Sequence, residues 1–254
     1  MSTLRRRAAH LKSKLEDLAQ DATAPLALGL PVQHWPRWLG DLHQVKVPAN
    51  VSPNPSPAPV GSANIRILFR LLTDSLHAPG DVAGCGVFRG KTLIPTGLLL
   101  AQNAPEKSLF GFDSFEGFDD AVNKDIALGG EPDPGKKIGG FGETSYPALE
   151  ARRQRLHLDR VHLVKGFFRD TLPQVADRKF CFVHLDCDLY DSYAECLAFF
   201  YPRLSPGAAV LFDEYNDPRW PGCNQAVDEF LADKPEALVE IEVDNQQKWY
   251  FRKV

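Results

Sequence analysis

Four carboxylates stand directly after two apolar runs of the sequence. The runs, residues 180–185 and 208–212, are continuous in the way that strands covered on both faces require. Because the carboxyl ends of parallel strands meet at one edge of a sheet, and ligands bind outside that edge, these carboxylates should converge on one site. The four are Asp186, Asp188, Asp213 and Glu214.

Clustered carboxylates repel one another, so such a cluster needs an opposing charge. A hard divalent cation with oxygen ligands, Mg²⁺ first among them, supplies that charge, and it can also hold a substrate hydroxyl and lower its pKa. In the alternative, one or two of the acids cap a helix that begins near Ser192. The sequence therefore predicts a metal-assisted site, with helix capping as the competing interpretation.

A glycine-rich turn follows the strand predicted at residues 81–83. Gly86 and Gly90 let the backbone pass close to a ligand at the start of a helix, although such turns also serve simple packing. Residues 90–92 imitate the end of a Walker phosphate loop, but the first glycine of that loop should stand where the sequence has Cys85. This mismatch excludes nucleotide hydrolysis.

Asp113 ends the strand predicted at residues 108–112. It lies 27 residues after Gly86 (113 minus 86), close to the spacing of the acid that accepts hydrogen bonds from a ribose in dinucleotide-binding folds. In the alternative, Asp113 and Ser114 simply cap the next helix. The spacing favours a ligand that contains a nucleoside.

The elements that must position these residues alternate between strand-like and helical segments from Asn64 onward. Parallel strands joined by helices predict an α/β fold with a doubly wound, mostly parallel sheet of seven strands. The predicted strands are 81–83, 108–112, 161–164, 180–185, 208–212, 237–243 and 248–252. The predicted helices are 64–76, a turn and helix over 84–101, 192–201 and 223–233.

Composition and charge exclude several classes of function. The chain has 254 residues, 29 basic against 33 acidic side chains and a formal net charge of -4, which disfavours a nucleic-acid partner. No window approaches the roughly 20 apolar residues of a membrane span, and no secretory signal follows the basic start, so we expect a cytoplasmic protein. The 5 cysteines show no C-x-x-C spacing, which predicts reduced thiols in the core.

Two segments differ from the rest in composition. Residues 1–63 combine an amphipathic helix over 4–18 with a proline-rich linker over 48–61. We expect this extension to dock on the main domain, 64–254, or on a second copy of the chain; membrane-surface binding and a transit peptide are the alternatives. Residues 119–145 are rich in glycine and charge, and a loop of this length predicts a mobile lid, with plain disorder as the alternative.

The segments around the candidate residues resemble the macrocin O-methyltransferase (TylF-like) family. The similarity covers residues 64–254. Its motifs are 80–90, 112–118, 164–173, 184–192 and 201–207, followed by 220–230. Members are S-adenosylmethionine-dependent enzymes, typically needing Mg²⁺, that methylate sugar hydroxyls of antibiotics and related glycosides. The resemblance thus implies a class I methyltransferase (Rossmann-like) sheet, a small glycoside or sugar acceptor, and a homodimer or higher homo-oligomer with neither nucleic acid nor membrane as partner.

The resemblance also implies a role for each candidate residue. The cofactor is bound by Cys85, Gly86 and Gly90 at its methionine part, by Asp113 at its ribose with Ser114 and Phe115 beside it, and by Gly166, Phe167 and Phe168 at its adenine. Asp186, Asp213 and Glu214 hold Mg²⁺. Asp188 takes the proton of the attacking hydroxyl, and Asp186 completes the catalytic pair.

The sequence departs from the family pattern at two positions. Gly84 stands where the family usually has glutamate, which removes a carboxylate from the cofactor end of the site. Glu214 stands in place of the usual aspartate and keeps a metal-competent charge on a longer arm. These departures leave open a catalytically inactive relative that only binds the cofactor. A second rival is a catechol or phenolic O-methyltransferase, because the same metal and base would serve a catechol.

Overall fold

The computed structural model describes residues 63–243 and 245–254. In chain order the elements are α1 Ala63–Ser75, β1 Asp81–Cys85, α2 Leu93–Asn103, β2 Leu109–Asp113, α3 Val122–Leu128, α4 Tyr146–Arg155, β3 Val161–Lys165, α5 Phe168–Thr171, β4 Phe180–Leu185, α6 Tyr190–Phe200, β5 Leu204–Phe212, α7 Pro221–Leu231, β6 Val239–Val243 and β7 Gln246–Arg252. Short 3₁₀ turns follow α5 and α6.

The strands form one seven-stranded sheet in the order β3-β2-β1-β4-β5-β7-β6. The first five strands of the chain pair in parallel, and β7 runs antiparallel between β5 and β6. This confirms the predicted α/β, mostly parallel sheet. Strand order reverses where β1 meets β4, so the crevice outside the carboxyl ends of these two strands is where such a sheet binds ligands.

The sheet is covered on both faces, as its continuous apolar runs require. Val82 of β1 packs in one apolar cluster with residues of α1 and α2, whereas the next residue, Ala83, packs in a second cluster with residues of α6 and α7. The central strand β4 is buried at every position and has the bounds that the sequence predicts. Packing on both faces therefore fixes the strands whose ends carry the candidate acids.

The structure refines the predicted boundaries. The turn and helix predicted over 84–101 are both present: Gly86, Phe88 and Gly90 adopt positive φ angles of 88°, 49° and 73° and form the turn, and the helix begins at Leu93. Strand β5 begins at Leu204, before the predicted start. The helix α4 was not predicted.

Residues 119–145 contain a packed helix in place of the expected continuous loop. Val122 of α3 is fully buried against Leu189 and Trp220. Asp125 is also 0% exposed, and its carboxylate accepts the backbone N–H of Tyr190 at 3.1 and 3.2 Å. The first half of the predicted lid is thus anchored to the first turn of α6, and a closing movement of the second half stays a prediction.

Asp125→Asn should make the stability of the folded protein less sensitive to rising pH. Burial raises the pKa of Asp125 to about 6, so the folded state binds a proton that the unfolded state has released, and stability falls as pH rises from about 4 to 6. Asparagine keeps an acceptor for the Tyr190 N–H without the charge. The difference in melting temperature between the variant and the wild type should therefore move in favour of the variant from pH 4 to pH 7. A constant difference would show that Asp125 does not titrate in this range.

The remaining predictions concern the N-terminal extension, the cysteines and a membrane span. The helix over 4–18 and the linker over 48–61 lie outside the described residues. All five cysteines are described, and each is buried with a free thiol, which confirms the expectation of core thiols. In the described ranges, no helix is long and apolar enough to cross a bilayer.

Candidate active site

A cavity of about 510 Å³ opens at the carboxyl ends of β1, β2, β4 and β5. Most of the predicted site residues line it, namely Gly86, Asp113, Ser114, Gly166, Phe167, Phe168, Asp186, Asp188, Asp213 and Glu214. Three predicted cofactor residues do not. Cys85 and Phe115 are buried in the two apolar clusters, and a Cβ on Gly90 would lie 2.5 Å from Leu149. The structure places these three in packing contacts, and their contact with the cofactor stays a prediction.

Gly86 joins the glycine turn to the acid-bearing loop. Its N–H donates to Phe112 O at 2.9 Å, while the N–H of Asp186 donates to Cys85 O at 2.9 Å. A Cβ on Gly86 would lie 1.6 Å from Asp186 O. The close approach that requires glycine is therefore to the neighbouring loop of the protein, and the turn and Asp186 hold one fixed relative position.

Asp113 organises the glycine turn from the adjacent strand. Its Oδ2 accepts the N–H groups of Val87 and Phe88 at 2.9 and 2.7 Å, and its Oδ1 accepts the N–H of Phe115 at 2.7 Å. The helix-cap alternative is wrong, because the next described helix begins at Val122. The side chain is half-buried on the cavity wall, and a carboxylate offers about four acceptor sites, so it retains acceptors for a ligand hydroxyl.

The segment predicted to face an adenine follows β3. Gly166 has a φ of 140°, and its N–H donates to Asp113 O at 2.9 Å, which places it beside the ribose candidate. Phe167 lies in extended conformation at the start of α5, with Arg169 4.7 Å from its ring centroid. An apolar ring next to a hydrogen-bonded acid is a surface on which a flat base can stack.

The candidate acids gather at the ends of β4 and β5. His184, Asp186 and Asp213 each offer a ligand atom within 4.8 Å of the others. Burial raises the pKa of Asp186 well above its usual value, and the charges of Asp213 and Glu214 raise it further. The helix-cap alternative is also wrong here, because the N-cap residues of α6 and α7 are Leu189 and Trp220 and neither makes a side-chain cap.

Asp213 differs from the other acids because basic groups surround it. Lys248 Nζ lies 3.0 Å from Asp213 Oδ2 and also donates to the Asp213 carbonyl, while His184 Nε2 lies 3.6 Å from Asp213 Oδ1. Burial alone would raise the pKa of Asp213, but the neighbouring His184 and the charge of Lys248 outweigh it and lower the pKa to about 2. Asp213 is thus ionised at neutral pH. No pattern in the sequence pointed to Lys248.

Glu214 and Asp188 lie close together where the chain leaves β5 and β4. Glu214 is 5% exposed, and its carboxylate accepts the Tyr193 hydroxyl at 2.5 Å and the backbone N–H of Asp188 at 3.4 Å. Burial and then the charge of Asp213 raise the pKa of Glu214 to about 7. Burial, followed by the charges of Glu214 and Asp213, raises the pKa of Asp188 as well. Three of the four acids therefore lack full compensating charge in the described protein.

Comparison with known proteins decides the family. The macrocin-O-methyltransferase (TylF) family matches residues 60–253 of the chain. The protein belongs to this family. Membership confirms the sequence-based expectation and makes the protein an O-methyltransferase.

Curated relatives and solved structures agree with the family. The mycinamicin III 3''-O-methyltransferase of Micromonospora griseorubida is 30% identical over 68% of this chain and 69% of its own length. The demethyldecarbamoylnovobiocin O-methyltransferase of Streptomyces niveus is 32% identical over 66% of this chain and 65% of its own. The calicheamicin methyltransferase CalS11 superposes with a TM-score of 0.64 at 26% identity, covering 74% of this chain and 78% of that one.

The TylF-family protein also has an aromatic and charged wall that the sequence analysis did not identify. Phe118 and Trp220 pack edge to face at 5.8 Å between ring centroids, and Phe141 contacts both rings. Arg219 lies 3.2 Å from Asp133, which ties the second half of residues 119–145 to the body. These residues line the cavity, and Phe141 also packs against Phe88 of the glycine turn at 5.9 Å between ring centroids. Only the proline and glycine around Trp220 in motif 220–230 pointed to this wall.

Proposed function

We propose that the protein is an S-adenosylmethionine-dependent, Mg²⁺-assisted O-methyltransferase that acts on a hydroxyl of a sugar or glycosylated natural product. One observation carries the proposal most directly: a ribose-competent acid and a cluster of charge-deficient carboxylates share one cavity of about 510 Å³. Cavities of about 300 to 1,000 Å³ suit ligands of this size. A further relative, from Streptomyces olivaceus, is named for methylation of a rhamnosyl group, which supports a sugar acceptor.

The acid cluster fits a divalent cation in its chemistry. Asp186, Asp213 and Glu214 present carboxylate oxygens, the donors that Mg²⁺ prefers, and these residues would hold it. Burial and the neighbouring acids raise the pKa values of Asp186 and Glu214, and Lys248 pairs with Asp213, so a bound cation would offset negative charge in this cluster. When bound, S-adenosylmethionine supplies the methyl group, and Mg²⁺ supplies the charge that lowers the pKa of an acceptor hydroxyl.

The residues of the chain align the reactants and move the proton. Asp113 and the Gly166–Phe168 segment orient the nucleoside, and the fixed contact between Gly86 and Asp186 sets its distance from the acids. Methyl transfer is an in-line displacement, so this alignment contributes several kcal/mol, and about 7 to 11 kcal/mol for ideal geometry. Asp188 accepts the proton of the attacking hydroxyl on its carboxylate. A raised pKa suits this task, because a general base works best near the pH of the reaction.

Replacing Asp113 with alanine tests the cofactor part of the proposal. Charge-assisted hydrogen bonds of the kind that Asp113 would make to a ribose diol contribute about 1.5 to 3 kcal/mol each. We expect the affinity for S-adenosylhomocysteine, measured by calorimetry, to fall at least about tenfold. Asp120→Ala, a change at an exposed position nearby, is the matched control and should bind normally. Unchanged affinity in Asp113→Ala would restrict Asp113 to holding the glycine turn.

The two rival interpretations make different predictions in the same assays. A catechol or phenolic O-methyltransferase would turn over aromatic diols and leave glycosides unmethylated. An inactive relative would bind S-adenosylmethionine with neither turnover nor Mg²⁺ dependence. A screen of glycosylated compounds and catechols with a labelled methyl donor separates these outcomes from the proposed function.

A further inference from the structure

Asn64, the second residue of α1, has a buried amide oxygen without a hydrogen bond. Its Oδ1 is shielded from solvent and finds no partner among the described residues. Asn64 nevertheless lines the main cavity, together with Gly86, Val87 and Thr92 of the glycine turn, and a rotation of its side chain would turn the Oδ1 from behind the wall toward the cavity. Buried polar atoms in folded proteins are satisfied in the great majority of cases, so an unsatisfied acceptor on a cavity wall points to a ligand that carries a donor.

The sheet order shows which part of the cofactor reaches Asn64. The ribose candidate Asp113 ends β2, and the acids of the transfer site follow β4, so β1 lies between them. A cofactor that spans these two strands must lay its remaining part over the end of β1 and the glycine turn. Leu68, one helical turn after Asn64, lines a small cavity with Gly84 and Gly86, which places this face of α1 directly against that turn. Asn64 therefore borders the methionine part of the cofactor.

The charges on this side of the cavity match an amino-acid zwitterion. Arg89 and Lys91 line the same wall and suit a carboxylate, but neither offers an acceptor. Gly84 contributes no side chain. The α-ammonium group of methionine carries three N–H donors, and the unsatisfied Oδ1 of Asn64 is an acceptor on the wall beside it.

We infer that Asn64 binds the α-ammonium group of S-adenosylmethionine and holds the amino-acid end of the cofactor over the glycine turn. This inference rests on the proposed function. It assigns a binding role to the first turn of α1, a segment outside every motif by which the sequence resembled its family. Asn64 acts on cofactor position and takes no part in proton transfer.

Calorimetry with two ligands tests the assignment. S-adenosylhomocysteine carries the amino-acid end, whereas 5′-methylthioadenosine lacks it and keeps the nucleoside. Asn64→Ala should weaken binding of S-adenosylhomocysteine at least about tenfold and leave binding of 5′-methylthioadenosine unchanged. Asn64→Asp, which adds a charge opposite to that of the ammonium, should retain or tighten binding of S-adenosylhomocysteine. Asn103→Ala, the same change at an exposed position in α2, is the matched control and should bind both ligands normally.

Each other outcome has a distinct meaning. Equal loss of both ligands in Asn64→Ala would overturn the inference, since Asn64 would then only support the fold. Unchanged binding of S-adenosylhomocysteine would overturn it as well. Wild-type protein that binds neither ligand would instead contradict the proposed function. The melting temperature of the free Asn64→Ala protein should not fall, because the substitution removes an unsatisfied buried group.

Discussion

Asp188→Asn is expected to lower turnover by about 10² to 10⁴-fold, the usual cost of losing a general base. Affinity for S-adenosylhomocysteine and the Mg²⁺ requirement should stay near normal, because Asp186 and Asp213 keep their positions. Asparagine suits this test. Asp188 has a φ of 59°, which asparagine tolerates better than most residues, so the loop keeps its backbone conformation.

Single-turnover kinetics and a Mg²⁺ titration measure the effect of Asp188→Asn. Asp191→Asn is the matched control, because Asp191 lies three residues later and pairs with Lys124 at 3.1 Å on the surface. It should retain wild-type turnover. Loss of Mg²⁺ dependence in the Asp188 variant would show that Asp188 is a metal ligand, and full turnover would remove it from the mechanism.

Activity is expected to vanish in excess chelator and to return when Mg²⁺ is added. The physical reason is the shortage of positive charge at Asp186 and Glu214, whose pKa values are raised by burial and by neighbouring acids. Asp213→Asn should raise the Mg²⁺ concentration needed for half-maximal activity, because it removes a charged ligand. The loss is increased, since Lys248 then leaves an uncompensated positive charge in the site, which repels a cation.

Activity across a Mg²⁺ titration, with and without chelator, provides the measurement. Asp177→Asn, at an exposed position away from the cavity, should follow the wild-type curve. Full activity of the wild type in excess chelator would contradict the metal-assisted mechanism. Proton transfer to Asp188 would then depend on the protein alone.

The sequence was sufficient to predict those parts of the fold in which a continuous apolar run forms a buried strand. Strand β4 is buried at every position, so its bounds and the acids after it were predictable from an apolar run. Helix α4 is different. Only Leu149 and Arg152 are buried in it, and its last turn carries three arginines, so no apolar stripe marks it in the sequence.

The site residues divide in the same way. Some follow directly from their own strand, and others are brought in from a distant part of the chain. Asp186 and Asp213 were predictable because each follows its own strand. Lys248 was not, because an antiparallel strand brings it to Asp213 from 35 residues away. The orientation of Glu214 depends on the hydroxyl of Tyr193, which belongs to α6, the helix before β5. Contacts of this kind leave no periodic pattern, so only the folded structure reveals them.

In laboratory evolution, no residue other than glycine fits at position 86, because a Cβ there would lie 1.6 Å from the Asp186 carbonyl oxygen. Substitutions in the glycine turn and in the acid loop must therefore be selected together. Residues 129–138, in contrast, meet the body partly through side chains such as Asp133, which pairs with Arg219. A library that varies this shorter segment offers a route to new acceptors and spares Phe141, whose ring packs against Phe88 of the glycine turn.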